Sequence, residues 1–292
     1  MKPRENEQVR LAIPNKGRIS QPIIDLLEKG GLHLQNTGGR KLITKTVDPK
    51  VEVLFARPID IPEYVASGAA DLGITGRDMV LERGSEVEEL LDLKMGTARL
   101  VLAVPEESGI TSAAEMGEMT IATEFPGITS RYFSERGICP RLFPVGGACE
   151  ATPYLGVADA IVDLTSSGTT MKTNHLRILD ELLCSTTIVI ANSRSRREKS
   201  LKIDEICLAL ESVLAAQGQC YLMMNVERGA LDEVKNVLPG LGGPTVMDVA
   251  SNEHLVAVHA VVAEERIYEL ISQLRKAGAR DILVMPIERM IR

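Results

Sequence analysis

Residues 150–171, EATPYLGVADAIVDLTSSGTTM, hold the densest chemistry in this 292-residue chain. The apolar run DAIVDL carries Asp163 to its carboxyl end. Thr165, Ser166, Ser167, Gly168, Thr169 and Thr170 follow, five hydroxyls around one glycine. At such a strand-to-helix turn the backbone N–H groups point outward and a glycine lets a ligand approach closely, so the segment suits a phosphate. Asp163 beside it is placed to hydrogen-bond ribose hydroxyls or to join phosphate oxygens around a magnesium ion. The same residue types also build an ordinary helix-capping turn. Composition leaves both readings open.

Three cations complete the set. Lys16 and Arg18, in PNKGR at 14–18, follow an apolar run, and Arg57 follows another at 53–56. Lysine meets a phosphate as a point charge, arginine as a two-pronged fork. Each taken alone is equally a solvated loop cation, Arg57 being a natural partner for Asp60. GITGRD at 73–78 repeats the glycine arrangement and reads as a helix-initiating turn. All four segments fall at the carboxyl ends of expected strands, where open α/β sheets bind ligands. No Ser–His–Asp set, HExxH, paired catalytic carboxylates, Walker A loop or GxGxxG competes with them.

The elements that must position these residues alternate. Strands are expected at 9–14, 71–75, 98–105, 120–123, 141–145, 160–164, 176–183 and 186–191. Helices are expected from Ser20 to the Gly30-Gly31 stop, at 60–67, from Arg77, at 128–136 and 149–157, and from about Ser167; 42–47 and 51–56 form a hairpin. Such alternation means α/β architecture with mostly parallel sheets covered on both faces. Two units result, joined by crossing strands, with a cleft between them: lobe I at 1–102 with a return segment at 184–218, and lobe II at 103–183. An amphipathic helix at 200–217 precedes residues 219–292, whose βαββαβ order is the ferredoxin-like unit.

Bulk composition narrows the function classes. Apolar residues make up 45% and charged residues 25%, and the net charge is −7, which argues against a nucleic-acid partner. The five cysteines form no CxxC or Cys/His cluster and read as reduced thiols of a cytoplasmic protein. The polar start lacks the apolar core of a signal peptide, and no run of about 18 apolar residues spans a membrane.

At this point the chain resembles the ATP phosphoribosyltransferases. The family signature is met by Glu150, Gly156, Ala158, Ile161, Asp163, Leu164, Ser167, Gly168, Thr170 and Met171. The likeness continues in LAIPNKGR, DIPEYVASGAADLGITG and ARDILVMPIERMI and covers nearly the whole chain. It departs at Thr165, where the family more often has an aliphatic residue. The resemblance implies a two-lobed, periplasmic-binding-protein-like catalytic core and an ACT-like C-terminal domain that binds histidine as inhibitor, the long form of the family. It also implies magnesium, mostly held by substrate phosphates with Asp163 as protein ligand, and assembly from dimer to hexamer. The reaction implied joins ATP to phosphoribosyl pyrophosphate at the start of histidine biosynthesis. Lys16, Arg18, Arg57 and Glu150 are then the expected catalytic residues, and Asp163 with residues 165–170 the phosphoribosyl pyrophosphate contacts. In the tail, a glycine-rich turn exposes backbone groups suited to a free amino acid, which marks Gly242, Gly243, Pro244 and Thr245, with Asn225, as effector contacts. A non-catalytic receptor shares the two-lobe layout; the complete phosphate-loop signature favours the enzyme.

Overall fold

The computed structural model describes residues 8–35, 42–238 and 243–291; the polar lead-in through Glu7 and residues 239–242 of the breaker run lie outside the described residues. The chain begins β1 (Val9–Pro14), α1 (Ser20–Lys29), β2 (Ile43–Lys45), β3 (Val51–Ala56), α2 (Ile61–Ala66), β4 (Leu72–Gly76), α3 (Arg77–Arg83), β5 (Glu88–Asp92) and β6 (Ala98–Pro105). It continues β7 (Thr120–Thr123), α4 (Pro126–Ser134), β8 (Arg141–Pro144), β9 (Ala160–Thr165), α5 (Thr169–Thr173), β10 (Leu176–Ser185), β11 (Thr187–Ala191), α6 (Ser193–Glu198) and α7 (Ser200–Ala216). The last elements are β12 (Gln219–Glu227), α8 (Leu231–Val237), β13 (Thr245–Asp248), β14 (Leu255–Ala263), α9 (Ile267–Lys276) and β15 (Ala279–Pro286). Two compact units divide between Leu208 and Ala209, inside α7.

The first unit contains two sheets of equivalent design. One runs β2-β3-β1-β4-β11-β5 and the other β10-β6-β9-β7-β8. In each, a first strand lies parallel between two others: β1 between β3 and β4, β7 between β8 and β9. Next comes an antiparallel strand, β11 or β6, followed by a last one, β5 or β10, antiparallel to it. The chain crosses between lobes twice, at β5–β6 and at β10–β11, and each crossing supplies one inner strand. Strands covered on both faces must be apolar throughout. In β1 only Arg10 is not fully buried, and β11 is buried over all five residues.

The structure departs from the expected elements where polar or breaker residues decide. The helix expected at 149–157 is one 3-10 turn, Cys149–Ala151, followed by hydrogen-bonded turns. Ala148 ahead of it is left-handed, Pro153 offers no N–H, and Gly156 takes φ +67°, so no helix can propagate. Two elements were not expected. The strand β5 carries EELLD, too acidic to read as a strand, and is held as an edge by β11. The polar helix α6 forms because the Asn192 side chain accepts from the N–H groups of Arg194 and Ser195.

The second unit is a four-stranded antiparallel sheet, β13-β14-β12-β15, with α8 and α9 in βαββαβ order. Leu222, Met224, Val226, Val256, Val258, Leu270 and Leu274 form its core.

Close packing in the first sheet depends on Gly73. A Cβ there would lie 2.6 Å from Ile61 Cγ2 and 2.8 Å from Val65 Cγ2 of α2. Gly73→Ala should therefore destabilise the first unit by about 1–3 kcal/mol. Denaturant unfolding reads this directly, and an unchanged midpoint would contradict the packing.

Candidate active site

Each lobe presents side chains at the carboxyl ends of its parallel strands. In lobe I, β1 ends at Pro14, whose carbonyl accepts a hydrogen bond from Ser20 Oγ at 2.8 Å. The loop between them turns through Gly17 at φ +96°, which leaves Lys16 and Arg18 exposed. Arg18 Nη2 donates to the Gly96 carbonyl at 3.0 Å, whereas Lys16 has no hydrogen-bond or ion-pair partner among the described residues. Both line a cavity of about 180 Å³ with Gly76, Asp78, Ser185, Thr186 and Leu164. Asp78 is a buried wall: Ser185 Oγ donates to Asp78 Oδ1 at 2.6 Å and accepts from the Asp78 N–H at 3.0 Å. GITGRD thus serves as a helix-initiating turn that also lines the cavity.

Arg57 does not reach this cavity. It lines a separate hollow of about 300 Å³ beside Asn15, Phe55 and Tyr64, with its Nε 4.0 Å from Asp60 Oδ2.

Lobe II brings carboxylates. Strand β9 carries Asp163, β7 ends just before Glu124, and the Cys149–Ala151 turn carries Glu150. Burial first, and then the charges of Glu124 and Glu150, push the Asp163 carboxyl up to about 6, against a 2.7 Å hydrogen bond from the Leu164 N–H. The same forces raise the buried Cys149 thiol, whose Sγ donates to the Ala122 carbonyl at 3.1 Å. It is therefore an inert core thiol and not a nucleophile. Glu124 was missed in the sequence. It follows β7 as Lys16 follows β1, and that equivalence of position is the signal that would have found it.

The hydroxyl-rich loop closes on itself from the inside. Thr165 is buried, and its Oγ1 accepts the Gly168 N–H at 2.9 Å, which gives a hydroxyl a role at the position where the family more often has an aliphatic residue. Ser167 Oγ lies 2.8 Å from Thr169 Oγ1 and accepts the Thr169 N–H at 3.3 Å. Ser166, Ser167, Thr169 and Thr170 face solvent, Gly168 has φ +75°, and nothing lies within 4 Å of where its Cβ would be. The helix that follows has only five residues. A helix this short adds little dipole for an anion, and the Gly168 and Thr169 N–H groups donate within the loop, so what the loop offers outward is its exposed hydroxyls. The cavity that Lys16 and Arg18 line reaches Leu164, between Asp163 and Thr165.

The expected effector contacts lie apart in the second unit. Asn225, on β12, donates to Asp281 Oδ2 at 3.0 Å, while Thr245 lies on edge strand β13 opposite His259 of β14. Strand β14 therefore stands between Asn225 and Thr245. Gly243, at φ +90°, and Pro244 lead into β13, and Gly242 lies outside the described residues. Among the described residues, no helix is long and apolar enough to cross a membrane.

Comparison with known proteins matches this arrangement to a family. A family model described as ATP phosphoribosyltransferase matches residues 57–212, and one described as HisG, C-terminal domain, matches residues 216–289. An ATP phosphoribosyltransferase of Methanococcoides burtonii is 54% identical, covering 97% of this chain and 99% of its own. That of Methanocella arvoryzae is 53% identical over 97% of this chain and 100% of its own. A solved chain of the ATP phosphoribosyl transferase (HisG:HisZ) complex from Thermotoga maritima superposes with TM-score 0.63 at 34% identity, covering 70% of this chain and 96% of that one. The chain belongs to the ATP phosphoribosyltransferase family, in the long form that carries the C-terminal domain. It is an enzyme of phosphoribosyl transfer, the class that opens histidine biosynthesis.

The raised carboxyl of Asp163 has a measurable consequence. From its usual 3.8 it rises to about 6 in the fold. Between those values the fold keeps a proton that the unfolded chain has lost, so stability falls as pH rises through the window and the deficit is complete above it. Asp163→Asn should raise Tm over the parent at about pH 8 and change it little at about pH 4. An equal difference at both pH values would contradict the burial of this charge.

Proposed function

We propose that this enzyme transfers the 5-phosphoribosyl group of phosphoribosyl pyrophosphate to N1 of ATP, releasing pyrophosphate, and that histidine inhibits it through the second unit. The observation that carries the first part is the cavity in which Lys16 and Arg18 meet the end of β9, where Asp163 and the hydroxyl-rich loop begin.

The adenine nitrogen lone pair forms the new bond to C1 as the C1–oxygen bond breaks, and the departing pyrophosphate keeps the bonding pair. A ring nitrogen is already a nucleophile, so no strongly tuned base is needed. The barrier lies in charge that develops on both sides of C1. The exposed hydroxyls of Ser166, Ser167, Thr169 and Thr170 hold the 5-phosphate, with Thr165 bracing the loop from within through the Gly168 N–H. Asp163 accepts from the ribose hydroxyls, and its carboxylate, with Glu124 and Glu150, faces the positive charge that builds on the sugar. Lys16 and Arg18 neutralise the leaving pyrophosphate, and Arg57 adds to the field from its neighbouring hollow. Holding both substrates in one orientation supplies the rest.

Among the described residues no three carboxylate, imidazole or thiolate groups are arranged as a cage for a metal. We propose magnesium carried mainly by the substrate phosphates, with Asp163 as the protein oxygen that would join them. When bound, the ion supplies charge neutralisation at the departing pyrophosphate. We also propose a cytoplasmic homo-oligomer, dimer to hexamer; the Thermotoga maritima relative was solved as a complex.

Lys16→Ala and Arg18→Ala should each lose about 1.5–3 kcal/mol of transition-state stabilisation, roughly one to two decades in kcat/KM, with Tm little changed. Wild-type kinetics in both would remove them from the site. For regulation, the second unit has its own core, and inhibition from it needs a coupling of about 1–3 kcal/mol to the catalytic lobes. In hydrogen exchange on the full chain, histidine should protect amides within residues 219–291, with Asn225, Gly243, Pro244 and Thr245 as proposed contacts. Protection confined to residues 8–208 would place the effector in the lobes instead.

A further inference from the structure

The amino end of α4 has no cap of its own. Its preceding residue is Phe125, and no side chain there accepts a hydrogen bond from the first turn. An uncapped first turn leaves backbone N–H groups without partners. Here the partner comes from the other lobe. Glu82, near the end of α3, accepts from the Gly127 N–H with Oε1 at 2.8 Å and from the Ile128 N–H with Oε2 at 2.9 Å. The exchange is mutual, because Arg131 of α4 donates through Nη2 to the Leu81 carbonyl in the last turn of α3. Each helix thus answers the terminal charge of the other, carboxylate at an amino end and guanidinium at a carboxyl end. The approach is close enough to require glycine: a Cβ on Gly127 would lie 2.7 Å from the Glu82 carbonyl oxygen. Met79, one turn back in α3, packs into the lobe II core with Leu100, Ile121 and Phe133.

The position of α3 gives this contact its meaning. Asp78 and Met79 at its start line the cavity that holds Lys16 and Arg18. Its end grips α4 three residues beyond Glu124 of the carboxylate cluster. One short rigid element therefore connects the cationic wall of lobe I to the acidic edge of lobe II.

We propose that Glu82, with Arg131 and Gly127, is a clasp that sets the angle between the two catalytic lobes, and that Glu82 is a positioning residue for the transfer. As a statement about catalysis this rests on the function proposed above; as a statement about lobe geometry it does not. The clasp holds two half-sites in register, so loosening it impairs their joint use more than ligand binding by either one. Glu82→Gln keeps the shape but turns an amide NH2 toward one of the two N–H donors. Gly127→Ala removes no polar group but crowds both the Glu82 carbonyl and its carboxylate, wedging α3 from α4, and its backbone conformation suits alanine.

Both variants are made in the full chain. Two readouts are taken: the separation of spin labels at Ser67→Cys in lobe I and Ser134→Cys in lobe II, and the steady-state kinetics beside ribose 5-phosphate affinity. For the labels, exposed Cys139 and Cys184 are replaced by Ser and the labelled protein is diluted into unlabelled chain. In both variants the distance distribution should shift or broaden, and kcat should fall about tenfold to a hundredfold while the ribose 5-phosphate dissociation constant stays within about twofold. An unchanged distance distribution overturns the clasp. So does a kcat within about twofold of the parent, or ribose 5-phosphate affinity that falls in step with kcat, the mark of a merely structural role. If the parent transfers no phosphoribosyl group while the label distances still respond, the proposed function fails and the clasp stands.

Discussion

Two polyanions must be brought to bonding distance, and the chain that does so carries a net charge of −7. Repulsion between substrates, and between substrate and protein, can be offset only by positive charge and N–H groups placed where they are needed. The fold meets this by ending parallel strands in short loops at a common edge. Lobe I ends in Lys16 and Arg18; lobe II ends in outward-facing hydroxyls and a glycine with open space beside it. Edge strand β2 aside, the two sheets share one strand order, and the loops after their parallel strands carry cations in lobe I and carboxylates in lobe II. The two crossings that exchange strands between the sheets keep these edges in a single compact unit.

The arrangement costs stability where it serves chemistry. Asp163 is half-buried under the charges of Glu124 and Glu150, a setting that favours its protonated form and is a poor choice for folding alone. In the proposed site, a substrate that brings hydroxyl donors to Asp163 would relieve that repulsion. Lys16 shows the complementary condition: it has no partner among the described residues, so in the proposed role it has no internal ion pair to break.

Much of this was legible in the sequence because it is local. Apolar runs such as VRLAIP and AIVDLT mark buried strands, and the residues after them mark the loops at their carboxyl ends. The βαββαβ tail follows from periodicity in the same way. What escaped depends on distant partners. Pro153 and left-handed Ala148 stop a helix that the apolar spacing of 149–157 favours. The acidic strand β5 exists because β11 holds it, and Glu124, exposed as its sequence suggests, matters because its charge acts on Asp163 of β9. Arg57 follows a strand as Lys16 does, yet the fold of α2 turns it into another hollow with Asp60. The Glu82 contact joins residues 45 positions apart, beyond the reach of any helical or strand period.

The central claim is that the cations of lobe I and the hydroxyl loop of lobe II bind one substrate together. A crystal structure of the full chain with phosphoribosyl pyrophosphate and magnesium tests it most directly. The 5-phosphate should lie on the exposed hydroxyl loop of residues 166–170, the ribose hydroxyls at Asp163, and the pyrophosphate turned toward Lys16 and Arg18. A 5-phosphate seated anywhere else, or a ligand held by one lobe with Lys16 and Arg18 out of reach, would contradict it.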